Sequence, residues 1–319
     1  MQWITEENYE KTMAEVVEPY LAERGEQGFV ERVKGEPIYY EHYRADQPKG
    51  IIVISHGFTE SIRKYYESIY YMLQAGYSVW GMDHRGHGRS YRENKNPFVV
   101  HVSHFEDYLL DFRYLMDTLV RPDAKGLPIY LYGHSMGGCI GALMLEEHPF
   151  LFRKAVLSSP MFGLSFGKIP LPFIYAAAGV KGLGERKMEP MKPVAAFLPD
   201  DFENSCDSSR CRYDYYKKKR LEDPLLQTTE ASIGWGRAAI KACFVVNSGR
   251  RIAHIHAPIL LFQAGDETVV KPDTQKQFAK RVPGCRFESI PGKKHELYMT
   301  DSDTLIPYWE KIFAFYEEK

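Results

Sequence analysis

Apolar and polar positions along the chain follow two different periods, and their order predicts the fold class. Short runs rich in β-branched residues are typical of buried strands, and longer segments with an apolar residue every three or four positions are typical of helices. The predicted strands cover 28–34, 37–44, 50–55, 77–82, 128–132, 153–158, 258–263 and 286–290, and helices are predicted at 62–75, 104–120 and 136–147. This alternation favours an α/β fold with a mostly parallel, doubly wound sheet, whose first two strands form an antiparallel edge.

A Gly-x-Ser-x-Gly pentapeptide, Gly133 to Gly137, lies between the predicted strand 128–132 and the predicted helix 136–147. A serine at a strand-to-helix hairpin needs a strained backbone to project its hydroxyl, and small neighbours two residues away leave room for it. The positive end of the following helix also favours negative charge at that hydroxyl. Pattern and context together predict Ser135 as a nucleophile.

A nucleophilic serine needs a general base and an acid that orients the base, and here the expected chain order is serine, acid, histidine. The chain has 11 histidines, and His295 is the last of them. It lies in a glycine-containing loop after the predicted strand 286–290 and is the candidate base. Asp266 comes shortly after the predicted strand 258–263 and is the candidate acid, with its neighbour Glu267 as the alternative.

The tetrahedral intermediate of acyl transfer needs hydrogen-bond donors for its oxyanion. The backbone N–H of Met136, directly after the candidate nucleophile, is one candidate donor. The second is expected in the loop after strand 50–55, where the chain reads His56-Gly57-Phe58. We therefore expect the backbone N–H of Phe58 to complete an oxyanion hole.

These motifs resemble those of the α/β-hydrolases of the bacterial lysophospholipase and monoacylglycerol lipase group, the serine aminopeptidase S33-like hydrolases. The resemblance extends from about residue 30 to the C-terminus. It rests on the segments His56–Phe58, Asp83–Ser90, Gly133–Gly138, Ser159–Phe162, Gly265–Asp266 and His295–Glu296. It implies an α/β-hydrolase fold. It also implies hydrolysis of a carboxylic ester of a single-chain lipid, through a Ser-His-Asp triad and an acyl-enzyme.

The alternation of strand and helix breaks after the sixth predicted strand and resumes near Pro258. The expected organisation is a first core part at 1–159, an inserted helical cap at 160–232 and a second core part at 233–319. In the family that this chain resembles, such a cap covers the active site. Phe162, Phe166 and Phe173 are then candidate substrate-binding residues, unless they form the small core of the cap itself.

The insertion also carries a basic run, Lys217 to Arg220. Such a run can meet anionic lipid head groups or can form an ordinary solvated helix face. Both interpretations stay open from the sequence.

Composition narrows the functional classes to which the protein can belong. A chain of 319 residues with 44% hydrophobic residues can bury a large core, and a net charge of −1 gives no basic field for nucleic acid. The 5 cysteines form an odd set without a Cys-x-x-Cys pair, which indicates reduced thiols. No signal peptide or membrane span is predicted. We expect a cytoplasmic enzyme with no cofactor and no metal, and weak peripheral contact with the inner face of the membrane stays open.

Three other functions fit the same motifs. One is a prolyl-type aminopeptidase, in which Asp200, Asp201 and Glu203 would bind the substrate ammonium. Another is an esterase for other small esters. The third is a ligand-binding protein on the same fold without turnover, because fold alone does not fix function.

Overall fold

The structure, a computed structural model, describes residues 1–165, 169–181 and 184–318. Its strands in chain order are β1 (Gly25–Val30), β2 (Ile38–Tyr43), β3 (Gly50–Ser55), β4 (Tyr77–Met82), β5 (Val99–Val100), β6 (Ile129–His134), β7 (Lys154–Ser158), β8 (Glu230–Ala231), β9 (Ile259–Ala264) and β10 (Arg286–Ile290). Its α-helices are α1 (Tyr9–Thr12), α2 (Glu18–Arg24), α3 (Tyr66–Gln74), α4 (Glu106–Leu115), α5 (Arg121–Ala124), α6 (Met136–Glu147), α7 (Leu171–Lys181), α8 (Arg210–Glu222), α9 (Ile233–Val246), α10 (Gly249–Ile252), α11 (Pro272–Arg281) and α12 (Ser302–Glu317). Single π-helical turns at Met13–Val17 and Met116–Val120 join α1 to α2 and α4 to α5.

Eight of these strands form one twisted sheet in the order β1-β2-β4-β3-β6-β7-β9-β10. The pairs β1–β2 and β2–β4 are antiparallel, and the pairs from β4 to β10 are parallel. The mostly parallel sheet with an antiparallel edge is therefore confirmed. The first strand lies at Gly25–Val30, three residues before its predicted start, because it pairs in register with β2 from Gly25 opposite Tyr43 to Val30 opposite Ile38.

Both faces of the central strands β3, β4, β7 and β9 are buried, as expected for a sheet with helices on either side. Successive side chains of β3 alternate between two hydrophobic clusters. Ile51 and Val53 pack in the cluster that includes side chains of α4, α6 and α9, and Ile52 and Ile54 pack in the cluster that includes those of α3 and α12. The strand ends that carry the candidate catalytic residues are therefore held by core on both sides.

The segment between β7 and β9 contains α7 to α10 and the short strand β8. Within it, α8 is anchored to the first part of the chain by a buried ion pair. The guanidinium of Arg212 donates to Glu67 Oε1 and Oε2 at 2.7 and 2.9 Å, and to the carbonyl of Ile4 at 3.1 Å. Arg212 itself is fully buried. In contrast, α7 buries none of its described side chains.

The basic run at the end of α8 faces the N-terminal helices. Lys218 pairs with Glu10 at 2.6 Å and Lys219 with Glu18 at 3.2 Å. Arg220 donates to two backbone carbonyls of its own segment. Two of the four cations of this run are thus paired with carboxylates of the chain itself, which lowers the charge left for anionic head groups.

Candidate active site

Ser135 lies between β6 and α6 with φ 50° and ψ −116°. This backbone conformation is strained for a residue with a side chain, and such strain is typical of a functional turn. The turn is fixed from both sides, since the N–H of Ser135 donates to Ser158 O at 3.0 Å and its carbonyl accepts from Met161 N at 2.9 Å. The side chain is almost buried, with 6% of the residue exposed.

The two glycines of the pentapeptide are required by space. A Cβ on Gly137 would lie 2.0 Å from the carbonyl oxygen of Ser55, and one on Gly133 would lie 2.9 Å from the carbonyl of Gly137. Both distances are shorter than van der Waals contact allows. The sequence interpretation of these glycines as spacers agrees with the geometry.

His295 is buried close to the residue that precedes the nucleophile. Its ring centroid is 4.9 Å from that of His134, the residue before Ser135. Its Nδ1 lies 2.6 Å from Oε2 of Glu267, whose side chain is completely buried. Its Nε2 is also buried and has no hydrogen-bond partner among the described residues. One ring nitrogen is thus held by a carboxylate, and the other is left for a reacting group.

The carboxylate beside His295 belongs to Glu267, the alternative acid from the sequence, and not to Asp266, the first candidate. Asp266 is exposed, although its N–H donates to the carbonyl of Lys293 at 3.0 Å. The chain turns inward at the next residue, and Oε1 of Glu267 accepts from the N–H groups of Val269 at 2.9 Å and Val270 at 3.2 Å. These two donors fix the carboxylate and leave its second oxygen for His295.

Burial by itself would raise the pKa of Glu267. The hydrogen bond to His295, the charge of that ring and the two backbone N–H groups act in the opposite direction. Together they prevail and hold the pKa of the carboxyl below its ordinary value. Glu267 is therefore ionised at neutral pH and can stabilise an imidazolium.

The candidate oxyanion loop follows β3 and is fixed by two side chains. His56 Nδ1 donates to the carbonyl of Gly57 at 2.7 Å, and its Nε2 accepts from the N–H of His84 at 2.8 Å. Burial lowers the pKa of His56 to about 4, so the ring is neutral. The N–H of Gly57 donates to Glu60 Oε2 at 2.6 Å. Met136 is the first residue of α6, so its N–H has no carbonyl in a preceding turn.

The structure separates the three candidate substrate-binding residues. Phe162 is buried in the core, with its ring 4.1 Å from that of Phe278. Phe173 is 67% exposed on α7. Phe166 lies outside the described residues. A large aromatic side chain that does contact the oxyanion loop is Trp235 of α9, whose ring centroid is 4.1 Å from that of Phe58.

Sequence reasoning missed Glu60 and Trp235. Glu60 stands three residues after Gly57, and an acid at that spacing can accept from a backbone N–H in the turn before it. The spacing of Glu60 from Gly57 is therefore a local signal that the sequence contains. Trp235 had no such signal, because its contact with Phe58 joins residues far apart in the sequence.

Residues 46–303 match the family described as serine aminopeptidase, S33. The chain belongs to this family. Its relatives include lysophospholipase L2 of Escherichia coli strain K12, which is 30% identical over 82% of this chain and 78% of that protein. A monoacylglycerol lipase of Mycolicibacterium smegmatis is 27% identical over 86% of this chain and 91% of its own length.

Solved structures that resemble this member of the serine aminopeptidase S33 family have the α/β-hydrolase fold. A carboxyl esterase of Bacillus coagulans superimposes with a TM-score of 0.74 at 17% identity, over 92% of this chain and 98% of that one. A monoglyceride lipase of Saccharomyces cerevisiae gives 0.73 at 17% identity, over 92% and 95%. The expected α/β-hydrolase fold is therefore confirmed. Within the described part of the chain, no helix is both long and apolar enough to cross a bilayer.

Proposed function

We propose that the protein is a serine hydrolase that cleaves carboxylic esters of single-chain lipids, of the lysophospholipid or monoacylglycerol type. One observation carries the chemistry: a strained serine at a strand-to-helix turn directly follows His134, whose ring centroid lies 4.9 Å from that of a buried histidine, and Nδ1 of this histidine is held by a buried carboxylate. The relatives named lysophospholipase and monoacylglycerol lipase support the substrate class.

In this proposal Ser135 Oγ attacks the ester carbonyl, and His295 Nε2 accepts the hydroxyl proton. The N–H groups of Phe58 and Met136 receive the oxyanion of the tetrahedral intermediate. His295 then gives its proton to the leaving alcohol oxygen, and an acyl-enzyme remains on Ser135. A water molecule attacks this ester in the same way, and the fatty acid leaves.

Glu267 takes the place of the acid in this triad. A carboxylate on Nδ1 keeps the proton on that nitrogen, so that Nε2 is free to act as the base. It also stabilises the positive charge that the ring acquires during each half-reaction. The triad that we propose is therefore Ser135, His295 and Glu267.

We further propose that residues 160–232 act as a cap over this site. Support comes from their place in the chain, between β7 and the core helix α9. A cap would exclude water and leave room for one acyl chain.

The aminopeptidase alternative receives less support. Asp200, Asp201 and Glu203 are all exposed, so they do not form a desolvated site for a substrate ammonium. The buried carboxylate of Glu296, next to His295, is already paired with the ammonium of Lys64 at 2.5 Å.

A substrate panel tests the proposal. Purified protein is incubated with a lysophosphatidylcholine, a monoacylglycerol, a two-chain phosphatidylcholine and proline p-nitroanilide, and the products are measured by mass spectrometry. We expect the single-chain esters to be cleaved fastest. Cleavage of the proline amide about a hundredfold faster than any lipid ester would contradict the substrate class. Absence of labelling by a fluorophosphonate would contradict the serine mechanism itself.

A further inference from the structure

A buried carboxylate outside the triad connects the three loops that build the candidate site. Glu60 is 4% exposed and accepts three hydrogen bonds. Its Oε2 accepts from the N–H of Gly57 and from the hydroxyl of Tyr65, both at 2.6 Å. Its Oε1 accepts from the hydroxyl of Tyr298 at 2.7 Å.

Two of these contacts reach different parts of the site. Gly57 precedes the candidate oxyanion donor Phe58, and Tyr298 lies three residues after His295. The same carboxylate approaches His134, the residue before Ser135, with Oε1 3.5 Å from Nε2 of that ring. Glu60 therefore touches the neighbours of the nucleophile, of the base and of an oxyanion donor.

The local geometry of the oxyanion loop shows what the contact with Gly57 does. A peptide group is planar, so fixing one of its polar atoms fixes the direction of the other. The carbonyl of Gly57 and the N–H of Phe58 belong to one peptide, and His56 holds that carbonyl. The preceding peptide ends in the N–H of Gly57, which Glu60 holds. Two consecutive peptide planes are thus fixed just before Thr59, whose φ of 61° is unusual for its residue type.

We propose that Glu60 is a positioning residue, which orients the backbone N–H of Phe58 toward the oxyanion by accepting the hydrogen bond of Gly57. This inference rests on the proposed function, because it assumes that an oxyanion forms at this loop. Glu60 does not touch the reacting atoms and acts only through the loop.

A metal is a competing explanation for the same cluster. Ligand-type atoms of Glu60, His134 and Glu296 lie within 4.8 Å of one another. However, the ammonium of Lys64 lies 2.5 Å from Glu296 Oε2 and 3.8 Å from Glu60 Oε1. This cation already pairs with both carboxylates and would repel a second cation placed between them. The contacts of Glu60 therefore favour a hydrogen-bonding role.

Two substitutions distinguish the effect of the length of the Glu60 side chain from the effect of its charge. Glu60→Asp keeps the charge but withdraws the carboxylate by one methylene from Gly57. Glu60→Gln removes the charge but keeps an oxygen that can accept from Gly57. Tyr65→Phe is the matched control, because it removes a hydrogen bond from the same oxygen and leaves that of Gly57 in place.

The three variants are compared with the wild type in hydrolysis of p-nitrophenyl butyrate and in inhibition by an alkyl trifluoromethyl ketone, whose adduct with the serine carries the oxyanion. Loss of a complete oxyanion donor costs about 10²–10³-fold in kcat, so we expect Glu60→Asp to lose roughly 30- to 100-fold. Its KM should stay near that of the wild type, and its affinity for the ketone should fall by the same factor as kcat. Glu60→Gln and Tyr65→Phe should stay within about fivefold of the wild-type kcat, because both keep an acceptor for Gly57.

Equal kcat values for Glu60→Asp and the wild type would overturn the inference. So would a Glu60→Gln variant slower than Glu60→Asp, or a loss of kcat without a matching loss of affinity for the ketone. Melting temperatures show whether any variant is simply unfolded. If the wild type itself neither hydrolyses the ester nor reacts with a fluorophosphonate, the proposed function fails instead.

Discussion

The two adjacent carboxylates after β9 provide the sharpest test of the site, because they differ in burial and in contact with His295. In Glu267→Gln the amide oxygen can serve only one set of donors. If it keeps the N–H groups of Val269 and Val270, the amide NH₂ faces Nδ1 of His295, and the ring must take the tautomer with its proton on Nε2. If it turns to His295, the NH₂ faces two backbone N–H groups. The first arrangement removes the base, and the second leaves a buried donor unpaired.

The size of the effect follows from this choice. An amide in place of the triad acid leaves the geometry intact and lowers kcat by about 10⁴ in the serine protease example. That factor corresponds to about 5.4 kcal/mol of transition-state stabilisation. We expect a loss of this order for Glu267→Gln. Asp266→Asn is the matched control and should stay within about twofold, because an exposed side chain away from special features contributes little.

The kcat of both variants is measured with p-nitrophenyl butyrate. Thermal unfolding at several pH values between neutral and acid gives an independent check of the assignment. The pKa of Glu267 is lowered in the folded protein, so its carboxylate stabilises the fold above the ordinary glutamate pKa near 4.3, and this contribution is lost as the pH falls through the folded value. Glu267→Gln should lack this part of the acid sensitivity, and Asp266→Asn should keep it. An inactive Asp266→Asn together with an active Glu267→Gln would refute the assignment.

Three further predictions follow from single contacts. Ser135→Ala should lose about 10⁴-fold or more in kcat and all fluorophosphonate labelling while melting like the wild type; retained labelling would exclude Ser135 as the nucleophile. Gly137→Ala should reduce both activity and soluble yield, because its Cβ would lie 2.0 Å from Ser55 O; a fully active variant would show that the turn can shift. Arg212→Ala should lower the free energy of unfolding by about 3–5 kcal/mol, as it leaves Glu67 buried and unpaired. In denaturant titrations, a change below about 1 kcal/mol would contradict that reading.

The sequence alone predicted the elements whose signals are local. The pentapeptide around Ser135 combines a strand, glycine spacers and a helix start within about 20 residues, and the structure has the same three parts. The last histidine could be chosen by chain order, and it lies beside a buried carboxylate. Short apolar runs likewise placed the strands of the sheet, because such a run is a property of the segment itself.

The acid could not be chosen between two neighbours in this way. Asp266 and Glu267 both follow β9, and which of them faces His295 depends on how the backbone turns after the strand. That turn is held by backbone bonds to the end of β10 and the loop after it, in which Gly265 N–H donates to Ile290 O and Asp266 N–H to Lys293 O. Periodicity predicts side-chain directions only within the strand. Beyond its end, tertiary contacts set the direction of the next side chains.

The partners of the basic run also come from tertiary contacts that the sequence does not reveal. These contacts bear on which part of the insertion can move. Taken locally, Lys217 to Arg220 is a surface charge, but the partners of Lys218 and Lys219 come from helices about 200 residues earlier in the chain. Together with the buried pair of Arg212 and Glu67, they join α8 to the N-terminal part of the protein. Moving α8 would break a buried ion pair, whereas α7 buries none of its described side chains. If the insertion opens to admit a lipid, the movement therefore belongs to α7, and slower amide hydrogen exchange in α8 than in α7 is the expected sign of it.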